Sequence, residues 1–484
     1  MRIPMFIETT ETTYRYPKIS ISKPQVRGIY LTSMFLVIIL TMIGLHFKLY
    51  LKTDLSMIYV LYILLGVSNI MVTSRGITWD KIVGWSFFVY SIGTPLYLLT
   101  NGGLERFLGT KIYFDEVYSY VTVSESLYYN ILFICSFYFA YFLSPDKAKE
   151  YSKSQNATNK FNYFHSKLFI HYWLLASAGL FLLGIYKINY MNAIVSGYSL
   201  KNPGYVYLFT AVFAINISIL ILLRMTNFQK KYLVIAAFFH LLLFPLGIRQ
   251  LTFTFIIQLI MLYKLTHYQF RLRTRDIVIG LTGLVFFGFI GMFRSGGEQT
   301  FSFLSLIKSP LRFFFYETTF NYVSFLKCLN LFKEYSINFL YGKTMLDPII
   351  EMIPSFLLND KNSYQFFEQF IARYSSIENM KPVGTAHLLT ELFVNGGIFF
   401  IFIFSMVLGF MSKFLNRSMW KAIHTNHFIG QILFSSIIPF VIIQLNRGGI
   451  SVLIKLSFQF AILPIIIIYL FRKRTGSTKA KNIG

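Results

Sequence analysis

Charge is what this sequence has least of. Of 484 residues, 13% are Asp, Glu, Lys or Arg and 55% are hydrophobic, and the mean hydropathy is +0.56. That balance excludes an ordinary soluble enzyme and reads as a polytopic membrane chain. Acidic side chains are the scarcer kind, 20 against 45 basic, which leaves a formal net charge of +25. Cysteine is almost missing: Cys135 and Cys328 lie in unrelated segments, with no metal or redox spacing. Also absent are a phosphate-binding glycine run with its Lys-Ser/Thr, a His-Glu-x-x-His helix and an Asp-x-Asp pair. Nucleotide hydrolysis, zinc catalysis and metal-held nucleotide sugars therefore have no handle here, and no metal or cofactor is expected. No internal repeat is visible, which counts against an inverted-repeat transporter. No cleavable signal peptide is evident, because the first apolar run begins near Gly28 and is long enough to span.

What is present is apolar length and aromatic surface. The 54 Phe and 33 Tyr suit lipid-facing helices and interfacial belts without any ligand. With about 20 residues needed per crossing, spans are expected at 28–47, 55–72, 82–100, 126–143, 168–190, 204–223, 231–248, 250–265, 277–293, 386–410, 428–445 and 449–471. The seventh and eighth form one run broken at Pro245-Leu-Gly-Ile-Arg-Gln250, too long for a single crossing, so a tight re-entry is expected at 247–250.

The expected fold is thus all-α and polytopic, with about 12 transmembrane helices. Residues 1–27 form a cytoplasmic tail, 28–293 a nine-helix membrane region, 294–385 a large external loop, 386–471 a three-helix membrane region and 472–484 a second cytoplasmic tail. Basic clusters such as Lys147, Lys149 and Lys153, or Arg271, Arg273 and Arg275, then fall inside, and the acidic connection holding Asp115 and Glu116 falls outside. The positive charge is accounted for by topology, and nucleic acid loses its main support as a partner. A connection as long as 294–385 usually carries structure of its own. Its amphipathic stretch 311–331 and the Pro-bounded Asp347-Pro-Ile-Ile-Glu-Met-Ile-Pro354 suggest ordered helical turns on the membrane surface.

The stretch richest in possible chemistry is Gly384-Thr-Ala-His-Leu-Leu-Thr-Glu-Leu-Phe-Val-Asn-Gly-Gly397. A helix starting at Thr385 would set His387 and Glu391 on one face near the mouth of a span, where ionisable groups need water, a partner or a substrate. The plainer alternative is an interfacial histidine, with the glutamate paired to a basic residue for packing. Three arginines, Arg249, Arg294 and Arg447, are expected at outer helix ends beside glycines, where the positive-inside rule does not call for them. Arginine suits bidentate recognition of phosphate oxygens, so an anionic ligand at the outer boundary would explain the set. Snorkelling to lipid headgroups would explain any one of them singly. His424 and His427 fall on the cytoplasmic side, where they suit surface histidines, and Asp54 is a weaker candidate still.

The Gly-Ile-Arg turn after Phe-Pro, the large late loop, the 384–397 segment and the closing Arg447-Gly-Gly together resemble the Wzy-type O-antigen and capsule polysaccharide polymerases. The likeness lies in layout over most of the chain, and its specific residues are concentrated in 245–298 and 384–450. It departs from the family where Gln250 follows the first arginine and where Gly-Gly follows the last. The resemblance implies a GT-C-like glycosyltransferase at the outer face of the bacterial cytoplasmic membrane, with both termini cytoplasmic. It would join undecaprenyl-pyrophosphate-linked repeat units without a metal or soluble nucleotide sugar, alongside a flippase and a chain-length regulator. Arg249, Arg294 and Arg447, with Arg312 and Arg373 behind them, would stabilise the departing pyrophosphate. His387, steadied by Glu391 or rivalled by Glu298, would take the proton of the acceptor hydroxyl. The alternatives are an O-antigen ligase, which shares the loop and arginines, and a lipid-linked oligosaccharide flippase or polysaccharide transporter, which would place more charge in mid-span than Lys455 and Glu391.

Overall fold

The computed structural model describes residues 24–72, 76–100, 120–144, 163–196, 204–243, 245–246, 248–267, 303–353, 358, 363–377 and 386–466. Its architecture is all-helical, 86% helix and without strands among the described residues, consistent with a polytopic membrane protein. The helices are α1 (Pro24–His46), α2 (Leu55–Val72), α3 (Trp79–Leu99), α4 (Tyr120–Leu143), α5 (Tyr163–Ile188), α6 (Tyr190–Ser196), α7 (Gly204–Met225) and α8 (Lys230–Leu243). They continue as α9 (Arg249–Thr266), α10 (Phe303–Glu334), α11 (Asp347–Met352), α12 (Phe366–Tyr374), α13 (Leu388–His424), α14 (Phe428–Gln444) and α15 (Gly449–Ser457). A π turn, Phe458–Ile462, prolongs α15.

Eight of these are long and apolar enough to cross a membrane, and two shorter apolar helices cover Gln250–Thr266 and Phe428–Gln444. The expected span 277–293 lies outside the described residues. The expected break at 247–250 falls between α8 and α9, although α8, at 14 residues, is short of a full crossing. The stretch expected as external loop contains α10, 32 residues long, whose later half is buried against α3, α4 and α13. Tyr322, Phe325, Leu326, Cys328 and Leu329 are all sealed there. Hydropathy alone missed α10 because polar side chains are threaded through it.

Two hydrophobic cores organise the bundle. One joins α1–α4, α10 and α13, and the other joins α5–α9. Helix α14 belongs to both: Phe434, Ile438 and Val441 pack into the first core, Ile432 and Phe440 into the second. The spacing of these residues is that of two faces of one helix.

Cross-helix bonds fix which helix ends lie together. Arg27, at the start of α1, donates to the carbonyls of Phe142 and Ser144 beyond the middle of α4. At the other end Thr53 bonds Tyr128 at 3.3 Å. Asn416 of α13 accepts from the Trp79 N–H at 2.6 Å and donates to Asp80 at 2.8 Å, so the start of α3 lies beside the later part of α13. The start of α13 accordingly lies beside the later part of α3. Arg224, ending α7, donates to Gln431 at 2.7 Å near the start of α14. One end of the bundle therefore gathers the last turns of α1, α3, α10 and α14 with the first turns of α2, α4, α13 and α15.

Candidate functional site at one end of the bundle

Helix α13 begins at Leu388, not at Thr385. His387 is its N-cap, with extended backbone (φ −66°, ψ 148°), and its Nδ1 accepts from the Leu389 N–H at 3.3 Å. The expectation that His387 and Glu391 share a helical face is thereby corrected, since His387 precedes the helix. Tertiary bonds hold the extended conformation: Ala386 N–H donates to the Arg447 carbonyl at 3.2 Å, and His387 N–H to Ser324 Oγ at 2.7 Å. With Nδ1 accepting, the ring proton sits on Nε2, which faces Ser91 Oγ at 3.5 Å. The Tyr322 ring meets the imidazole edge-on at 5.2 Å, and Phe87 lies 5.7 Å away. His387 is 0% exposed. As placed it orders the first turn of α13 and meets no solvent.

Glu391 looks elsewhere. Its Oε2 accepts from the Ile450 N–H at 2.8 Å and its Oε1 from the Thr344 hydroxyl at 3.3 Å. The carboxylate thus sits at the N-terminus of α15, where free backbone N–H groups and the helix dipole favour negative charge. Gly449, with φ +72°, makes this possible: a Cβ there would come within 2.5 Å of Glu391 Oε2. The Arg447-Gly-Gly sequence and the 384–397 sequence, 50 residues apart, are joined through this carboxylate and the Ala386–Arg447 bond.

A second contact is made where α13 breaks. Gly397 has φ 57° and ψ −135°, a conformation open to glycine and not to L side chains. Just before the break, the Val394 carbonyl accepts from Leu340 N–H at 2.9 Å, and Asn395 donates to Thr344 Oγ1 at 2.6 Å. The segment leading from α10 to α11 is strapped across the helix at this point. Beyond it, Asp347 accepts from the N–H groups of Phe366 and Phe367 at 2.8 and 2.9 Å, capping α12 from outside. Glu351 pairs with Lys455 of α15 at 2.5 Å while accepting from Gln365 at 2.6 Å. Both expected mid-span charges, Glu391 and Lys455, therefore hold other segments in place.

The arginines divide. Arg447 lies at this end, partly exposed, between α14 and α15. Arg249 opens α9, which runs antiparallel to α14: Gln431 donates to the Leu265 carbonyl and Gln258 to the Ser436 carbonyl, each at 3.4 Å. Continued along both helices, that register brings the backbone of Arg249 level with Leu445, two residues before Arg447. Arg373 is exposed in the last turn of α12. Arg312 falls within α10, whose side chains there are outside the description, as is the side chain of Arg249. Arg294 and Glu298 lie outside the described residues. Among the described residues no group of three or more His, Cys, Asp or Glu could hold a metal ion.

No protein-family model, curated protein or solved structure matches this chain. The site has to be read from its own chemistry.

Sequence reading passed over two polar groups. Glu125 stands one residue ahead of the expected span 126–143, but α4 starts at Tyr120, so Glu125 lies inside the helix, buried, with Lys333 of α10 at 2.5 Å. From there a polar seam continues inward: Tyr322 Oη donates to Ser126 at 2.9 Å and accepts from Asn130 at 2.6 Å, and its ring leads to His387. The run Ser124-Glu-Ser126 inside an otherwise apolar stretch was the available signal. His240 is the other omission: Nε2 faces Asn216 Oδ1 at 2.9 Å, Nδ1 faces Thr252 Oγ1 at 3.0 Å, and the ring stacks on Phe255 at 4.7 Å. Thr252 is one turn from Arg249. An apolar crevice between α5, α7 and the stretch after the π turn, lined by Phe169, Trp173, Ile221 and Pro464, lies away from this end.

Proposed function

We propose that the chain is a membrane glycosyltransferase that polymerises undecaprenyl-pyrophosphate-linked oligosaccharide repeat units into a surface polysaccharide, at the bundle end carrying Arg249 and Arg447. The observation that carries this reading is convergence. The three separate sequence segments behind the polymerase resemblance, around 245–250, 384–397 and 447–449, meet at one end. Two arginines at that end suit a departing pyrophosphate, whose negative charge grows as the glycosidic bond breaks. The buried His387 and Glu391 serve in this reading as positioning residues that fix α13 and α15 around the arginine loop. Most described carboxylates, Asp54, Glu125, Asp347, Glu351 and Glu391 among them, lie at this end with basic residues such as Lys52, Lys333 and Lys343 beside them, whereas at the other end Arg27, Lys81, Arg224, Lys230, Lys231 and Lys421 are set against Asp80. That asymmetry supports an extracytoplasmic site and cytoplasmic termini. A transporter reading loses ground, because Glu391 and Lys455 are committed to structural contacts.

The test is the length distribution of surface glycan in cells lacking the gene, complemented with wild type, Arg249→Ala or Arg447→Ala at matched membrane levels. Collapse of the ladder to a single repeat unit in the deletion and both variants is the expected outcome. Long lipid-linked polymer left unattached in the deletion would instead mean a ligase, and absence of exported repeat units a transporter.

A further inference from the structure

The Glu351–Lys455 pair lies at an unexpected depth. Lys455 is six residues into the apolar span Gly449–Ile466, about 9 Å along the helix axis from Gly449. A lysine that far into an apolar span is stable only with a partner or a path to water. Its partner comes from outside the span: Glu351, at the end of α11, with its second oxygen satisfied by Gln365. The segment follows α15 as it does so: Thr344 reaches Ile450 through Glu391 at the helix start, and Glu351 meets Lys455 more than a turn farther on, so α11 packs on α15 and descends beside it. The backbone of this segment is suited to leaving water, because its polar groups bond internally. Lys343 N–H donates to Leu340 O at 3.1 Å, Met345 N–H to Gly342 O at 3.0 Å and Ile353 N–H to Ile350 O at 3.2 Å.

The side chains of the segment divide as this descent requires. Thr344, Asp347 and Pro348 are buried against the protein, whereas Leu346 and Ile349 are 51% and 57% exposed. Leu346 and Ile349 lie three residues apart, on one side of the helical turn. The helix that carries them packs on α15, whose own Ile454 is 39% exposed. At the surface of a span, exposed aliphatic side chains are matched by hydrocarbon.

We propose that segment 343–353 is a re-entrant element set into the bilayer, with Leu346 and Ile349 covered by lipid acyl chains beside α15. This differs from the expectation of turns lying on the membrane surface, and it does not depend on the reaction proposed above. The element forms one wall of the site end, so a lipid-borne substrate approaching sideways would slide past it.

Nitroxide labels at Leu346→Cys and Ile349→Cys, in the full chain reconstituted in phospholipid vesicles, test the depth. The native Cys135 and Cys328 are fully buried, and the unmodified protein gives the labelling background. References are Ile454→Cys for lipid and the exposed Lys52→Cys for water. Collision with oxygen should exceed collision with a water-soluble nickel chelate several-fold at 346 and 349, as at 454. Nickel access equal to that at Lys52 would overturn the proposal. Should either cysteine variant fail to fold, Ile349→Trp supplies a second reading. Quenching of its added fluorescence by lipids brominated on the acyl chain is expected, and no quenching above that of the parent protein would overturn the proposal.

Discussion

The two lobes use helices of similar length and apolarity, yet they satisfy their buried polar groups in different ways. In the α5–α9 lobe most buried hydroxyls fold back onto their own helix: Ser177 on the Trp173 carbonyl, Ser218 on Ala214, Thr254 on Gln250, each within 2.8 Å. In the α1–α4, α10 and α13 lobe some hydroxyls fold back too, as Ser91 does on the Phe87 carbonyl, but many more bonds run between helices: Ser324 to Thr390 at 2.9 Å, Thr122 to Asn330 at 2.9 Å, Asn416 to Asp80 at 2.8 Å, with Ser86 reaching the Ile442 carbonyl of α14 at 3.0 Å. A bond within one helix says nothing about where its neighbour sits. One across helices fixes rotation and depth, at about 0.6 kcal/mol on average within a membrane. The α1–α4, α10 and α13 lobe, the first, is therefore positioned largely by polar geometry, and the α5–α9 lobe, the second, more by packing, with His240 the most buried of its few cross-helix polar links, which include His171 to Tyr232 and Tyr190 to the Leu242 carbonyl.

The strongest way to break that contrast is Glu391→Ala. It leaves the Ile450 N–H and the Thr344 hydroxyl without their acceptor, and a cost of about 2–4 kcal/mol is expected from two buried donors. In a thermal-unfolding assay in detergent the loss should be large, and Glu391→Gln should recover part of it by keeping one acceptor oxygen. An unchanged midpoint in Glu391→Ala would show that α15 is held by packing, as in the other lobe. The middle-sized effect belongs to His240→Leu, where Asn216 and Thr252 lose their shared partner at an expected cost of about 1–2 kcal/mol. Here the double variant His240→Leu/Asn216→Val should be no worse than the single one, since an apolar cluster suits a lobe built by packing. If the double variant is markedly worse, the second lobe too depends on polar geometry.

The smallest effect concerns Asp54, fully exposed ahead of α2, which accepts from the Ser56 hydroxyl and N–H at 2.7 and 2.8 Å. These bonds hold its carboxyl below its ordinary pKa. With the folded value depressed, its contribution is present above the unfolded pKa and fades as pH falls through the folded one. Asp54→Ala should therefore narrow the stability difference between neutral and strongly acidic solution slightly, leaving the Glu391 and His240 effects unchanged when unfolding is followed against pH.

Hydropathy made most of the spans legible, because a membrane crossing is a property of one segment read by itself. The helical nature of 311–331 and of 347–352 could also be read locally, from amphipathic spacing and from Pro348. What could not be read is anything fixed by a distant residue. Thr385 looks like a helix start, but the Arg447 carbonyl and Ser324 Oγ hold Ala386 and His387 extended, so the helix begins later. The partner of Glu391 is a backbone N–H 59 residues away, and that of Lys455 is a carboxylate 104 residues away. Neither distance leaves a trace in local pattern. Convergence of the Arg447 loop on the 384–397 segment follows from those same long-range bonds, which is why candidate residues could be named from sequence while their surroundings could not.

Helix α15 is the last of the described helices, and two carboxylates from earlier in the chain meet on it. Its N-terminus gives Glu391 the Ile450 N–H, and its second turn gives Glu351 the Lys455 ammonium. It therefore acts as a latch: when it docks, the start of α13 and the end of α11 are fastened together, and when it is lost both come free.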